Sequence, residues 1–179
     1  MTELYRAGIK LFATDSGAIR LRDFVPVFHS WIQKQAVENH QLIDVHDYSH
    51  IHHGPGILLV AHEGNFSTDS AEEKLGLAYF RKQSGSDSSL QKTLQASLKA
   101  VLQAASLIEK EPRLEGRMRF RKDELLVISN YRLLAPNHAA SFESMKPALT
   151  KVFGAGAKVA QIGAGTSDRL TIRVTGIAL

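Results

Sequence analysis

Leu42-Ile43-Asp44-Val45-His46-Asp47-Tyr48, Ile57-Leu58-Leu59-Val60-Ala61-His62 and Leu75-Gly76-Leu77-Ala78-Tyr79-Phe80-Arg81 follow one another within residues 41–82. The first reads as a half-buried strand, the second as a continuous apolar run suited to a central strand, and the third alternates again. Between them, His50 to Gly56 contains Gly54-Pro55-Gly56, whose glycines permit positive φ and whose proline fixes a turn. Asn65 to Lys74 is polar and reads as an exposed loop. Three strands joined this way pair antiparallel, so this stretch sets the character of the sheet.

Working outward, Gly8–Ala13 is a short strand that ends in the turn Asp15-Ser16-Gly17. Asp23 then caps a helix with Phe24, Phe28, Trp31, Ile32 and Gln35 at helical spacing and Pro26 in its first turn. On the other side, Gln83-Ser84-Gly85-Ser86-Asp87 has the composition of a linker and is read as a loop within one domain spanning 1–179. Ser88 and Gln91 have capping-box spacing, and Leu90, Leu94, Leu98, Val101, Ala105 and Ile108 mark a helix that Pro112 closes. Arg117–Arg121 and Leu125–Ser129 flank Lys122-Asp123-Glu124, which reads as an antiparallel hairpin. A third helix runs from Ala139 to Phe153 with Asn137 as its cap. Its stripe is Phe142, Met145, Leu149, Val152 and Phe153, Pro147 should bend it, and Gly154 ends it. Lys158–Ile162 and Leu170–Val174 form the last hairpin.

This order predicts an α+β fold: a mostly antiparallel sheet with three helices packed mainly on one face, built from helix–hairpin units. The recurring unit hints at internal duplication, although no residue-level repeat accompanies it.

At 179 residues, 44% hydrophobic and 22% charged, the chain is long and apolar enough for a core of its own. It has no cysteine, which excludes disulfides, thiolate nucleophiles and Cys-ligated metal clusters. Met1 to Arg6 carries no basic stretch followed by an apolar run, and no segment approaches about 18 consecutive apolar residues. A cytoplasmic location without membrane association is therefore expected. A net charge of +4 is mild, and acidic residues are spread through most of the chain, so nucleic acid is not demanded as a partner.

The residues that invite chemistry cluster between Asp44 and Glu63. In an extended segment Asp44, His46, Tyr48, His50 and His52 share one face, a titratable stripe suited to ligand binding. His50-x-His52 could bring two imidazoles to one zinc, nickel or copper ion. His46 and His50 lie roughly 13 Å apart on a straight strand and would share an ion only if the chain curls. His62-Glu63 follows the apolar run and is the candidate catalytic acid–base pair, but it lacks the second histidine of a helical metalloprotease motif. Arg117, Arg119, Arg121 and Lys122 form a basic stripe without the interleaved aromatics of single-strand nucleic-acid binders. Gly154-Ala155-Gly156 and Gly163-Ala164-Gly165 complete neither phosphate-loop signature, and no serine occupies a nucleophile elbow.

With Tyr48-Ser49-His50, Gly54-Pro55-Gly56 and His62-Glu63-Gly64-Asn65, the stretch Asp44–Phe66 resembles a family of small bacterial proteins of uncharacterised function. The resemblance implies a bacterial source and contributes no catalytic residue. The leading functional expectation is thus a non-enzymatic, homo-oligomeric domain that binds a partner or a small ligand, with no cofactor specified. A hydrolase- or lyase-type enzyme using His50, His52, His62 and Glu63, with or without a metal, is the rival. A nucleic-acid binder working through Arg117–Lys122 is the third reading.

Overall fold

Strand side chains alternate between two faces, and here the two faces have different fates. A computed structural model describes residues 6–14, 19–52, 54–70, 74–82, 89–163, 165 and 167–179. Its elements are β1 (Ala7–Ala13), α1 (Phe24–Lys34), β2 (Leu42–Tyr48), β3 (Gly56–Ala61), β4 (Gly64–Asp69) and β5 (Gly76–Arg81), followed by α2 (Leu90–Glu109), β6 (Phe120–Ser129), α3 (Ala139–Phe153), β7 (Lys158–Ile162) and β8 (Thr171–Thr175). All eight strands join one antiparallel sheet in the order β2-β3-β4-β5-β1-β6-β8-β7. The α+β class read from the sequence is the fold observed.

Ile9 and Leu11 of β1, Leu59 of β3, Phe66 of β4, Leu77 of β5 and Val127 of β6 point to one face. There they meet Phe24, Phe28 and Trp31 of α1, Leu94, Val101 and Ile108 of α2, and Met145 and Leu149 of α3 in one core. The opposite face has its own small cluster of Phe12, Leu126 and Ile128, to which no helix contributes. Lys10 also lies on that face, 0% exposed, with its Nζ donating to Asp69 Oδ1 at 3.3 Å.

The topology has two halves. In the first, β1 leads through α1 to the edge strand β2, and β3, β4 and β5 step back until β5 pairs with β1. In the second, β6 leads through α3 to the other edge strand β7, and β8 steps back to pair with β6. The two leading strands, β1 and β6, pair with each other at the centre. The two halves thus share the same order of connections.

Four local expectations are corrected. Asn65 to Asp69, read within a polar loop, belong to strand β4; Phe66 alternates with Asn65 and Ser67, and both neighbouring strands hydrogen-bond along its length. The segment 117–129 is not a hairpin. Tight hairpin turns need positive φ, which Lys122, Asp123 and Glu124 do not adopt, so they bulge within the single strand β6 opposite Leu11 and Ala13. The cap of α2 is Ser89, whose hydroxyl accepts from the Lys92 amide, while Ser88 lies outside the described residues. The cap of α3 is His138, whose Nδ1 accepts from the Ser141 amide, and Asn137 instead bonds to Gly165 and Gln161. Asp15-Ser16-Gly17 and Gln83–Asp87 also lie outside the described residues. Among the described residues no helix is long and apolar enough to cross a membrane.

Candidate functional site

The histidine stripe divides at Tyr48. Asp44, His46 and Tyr48 do share the helix-free face of edge strand β2, opposite Val60, Leu58 and Gly56. His46 Nε2 stands 3.6 Å from Asp44 Oδ2, both exposed, and its ring is 6.0 Å from that of Tyr48. The chain then turns, with the Ile51 amide donating to Tyr48 O, which takes exposed His50 and His52 off the strand. The turn is held by Asp47, whose carboxylate accepts from the Ser49 amide. Hydrogen bonds from Ser49, helped by Arg22, hold that carboxyl below its usual range. His53 lies outside the described residues. Among those described, no three His, Asp or Glu side chains converge as metal ligands.

His62 and Glu63 also part. They occupy the tight β3–β4 connection, where His62 is exposed and its backbone amide donates to Gln41 O. Glu63 turns inward. Its Oε2 accepts from the Gln41 amide at 2.9 Å and its carbonyl accepts from the Lys82 amide. This places Glu63 on the wall of a cavity of about 210 Å³ between the sheet end and α2.

The floor of that cavity is Tyr79 of β5, on the helix side of the sheet and only 2% exposed. Its hydroxyl meets His40 Nε2 at 2.9 Å, and His40 Nδ1 meets Glu38 O at the same distance. A carbonyl only accepts, so Nδ1 carries a proton, and in the neutral ring Nε2 accepts from the Tyr79 hydroxyl. The imidazole packs against both Phe66 and Tyr79, each ring centroid 5.3 Å away, and those two rings also touch each other, with centroids 4.6 Å apart. Gly64 makes room for the phenol: a Cβ there would lie 2.5 Å from the Tyr79 oxygen. Burial pushes the Tyr79 pKa up to about 12, Glu63 adding to the rise and Arg81 opposing it. Arg81 from β5 and Lys99 and Gln103 from α2 complete the polar lining, with Glu38 beside His40.

His40, Tyr79, Arg81 and Lys99 were not singled out by sequence. Tyr79 had a signal, because a tyrosine on the core side of an alternating strand must bury its hydroxyl and find it a partner. His40 had none, since Glu38-Asn39-His40-Gln41 reads as an ordinary polar connection.

The arginine stripe is ion-paired in part. Arg117 faces Glu115 at 3.8 Å, Arg119 donates to Glu109 O, and Arg121 pairs with Asp123 and Glu124 at 2.8 and 2.7 Å. No protein-family model matches the chain, and no curated protein matches it.

Proposed function

We propose that the protein is a non-enzymatic, self-associating cytoplasmic domain that binds a small polar molecule in the cavity floored by Tyr79. The observation that carries this reading is convergence: the 38–41 connection, the β3–β4 turn, β5 and α2 each deliver a polar group to one concavity. Glu38 and Glu63 balance Arg81 and Lys99 there, which favours a ligand without net charge that both donates and accepts hydrogen bonds. Tyr79 keeps its proton at neutral pH, so its hydroxyl serves as a fixed hydrogen-bonding group rather than an anionic nucleophile.

Thermal-shift screening of the full chain against amino acids, amino sugars and polyols, followed by calorimetry, tests the reading. Tyr79→Phe should weaken any hit at least about tenfold, roughly the loss of one well-made hydrogen bond in a closed site. A hit bound equally well by Tyr79→Phe would remove the cavity from the account. The rival acid–base reading is favoured by one observation, the Glu63 carboxylate on the same wall. It requires that Glu63→Gln abolish turnover of a bound molecule while preserving its binding.

A further inference from the structure

The helix-free face carries a second cavity, of about 260 Å³, built over Lys10. A lysine at the centre of a sheet face that no helix covers would ordinarily extend into solvent, yet this side chain is 0% exposed. Asp69 offers it one carboxylate oxygen, at 3.3 Å, and the Phe12 ring lies 5.5 Å from Nζ.

Across the cavity stands Arg169. Its backbone is fixed by a β-bridge to Pro136 and by the Thr171 hydroxyl donating to its carbonyl, and its guanidinium lies over the Phe80 ring at 5.5 Å. Among the described residues no carboxylate pairs with it. Asp168, at the rim, folds back on its own loop, so that a Cβ on Gly165 would lie 2.9 Å from its Oδ2. With Asp69 within reach of Lys10 and Asp168 turned toward Gly165, Arg169 is the cation of this lining that has no carboxylate at ion-pair distance among the described residues. The remaining wall is hydrocarbon, from Leu126, Ile128 and Ile162.

A guanidinium set over an aromatic ring still has N–H donors to offer, and their fork matches a carboxylate in two-point geometry. We infer that this cavity binds a short aliphatic carboxylic acid, with the carboxylate against Arg169 above Lys10 and the chain against Leu126, Ile128 and Ile162. The site is separate from the Tyr79 cavity, which opens on the helix side of the sheet.

Calorimetric titration of the full chain with butyrate, butyramide and inorganic phosphate tests the inference. Butyrate should bind at least about tenfold more tightly than either of the others, because only it combines charge with an apolar body. Arg169→Gln should lose at least tenfold in butyrate affinity with an unchanged melting temperature, and Tyr79→Phe should bind butyrate like the wild type. Absence of butyrate binding, equal binding of butyramide or phosphate, or undiminished binding by Arg169→Gln would each overturn it. Loss of butyrate binding in Tyr79→Phe would overturn it as well, by moving the acid to the other cavity.

Discussion

At Tyr79 a single hydroxyl links stability to pH. In the folded chain it keeps its proton up to about 12, whereas an unperturbed tyrosine gives it up near 10.0. Between those values the unfolded chain binds fewer protons, so stability falls as pH rises through that window. At about 1.4 kcal/mol for each pH unit between the two, the loss is about 2–3 kcal/mol. Denaturant titrations at pH 9 through 12 should show this component in the wild type and lack it in Tyr79→Phe; parallel curves would place Tyr79 in contact with water. Gly64 is the companion test. Alanine there would clash with both the Tyr79 hydroxyl and, at 2.7 Å, the Phe80 carbonyl, and overpacking of this kind costs about 1–3 kcal/mol. Chemical denaturation of Gly64→Ala should give that loss, and an unchanged midpoint would mean the strands part easily. Lys10 shows what was hidden at this scale. Gly8-Ile9-Lys10-Leu11-Phe12 is recognisable as a strand, but nothing local says that the face carrying Lys10 is closed, because Asp69 and Arg169 reach it from distant segments.

Elements were legible wherever one side of a periodic pattern meets the main core. α2 is the clearest case, with Leu94, Val101, Ala105 and Ile108 buried as their spacing requires, while Leu98, expected among them, lies half-buried at the margin of the stripe. Leu94→Ala should accordingly cost about 2–5 kcal/mol and Leu98→Ala distinctly less. Equal losses by denaturant unfolding would put the axis of the buried stripe elsewhere. The misread elements are those whose partners override their composition. β4 carries Asn65, Ser67 and Asp69 on the helix-free face, and their polarity reads as loop until β3 and β5 are known to flank them. β6 carries four charged residues in a row, and only pairing with β1 and β8 on its two sides makes a bulge of what resembles a turn. At the candidate site the same limit applies: Glu63 was legible as a carboxylate at a strand end, and the partners that give it a cavity come from three other segments.

For the whole molecule, an open sheet has two edges, and among the described residues β2 and β7 end it without a further strand. Ile43 on β2 is 53% exposed, an apolar side chain on an edge that can template pairing with a second copy. Light scattering at tens of micromolar should report a mass above the 19.7 kDa of one chain, and Ile43→Lys should return it to that value. A single-chain mass for the wild type would refute self-association. The core on the helix side joins all three helices to the sheet, so folding should need no metal, and chelator should leave the melting temperature unchanged.

The central pairing of β1 with β6 sets a condition on how the protein is made. Ala7 pairs with Ser129, so β1 leaves the ribosome well before its β6 neighbour has been synthesised. At typical elongation rates the delay is on the order of ten seconds. Throughout that interval the nascent chain can assemble β2 to β5 against β1 but must hold the far side of β1 open, one long apolar edge beside the translating machinery. The step most exposed to misassembly is therefore co-translational, and slowing translation upstream of Phe120 should lower the soluble yield without altering the stability of the molecules that escape.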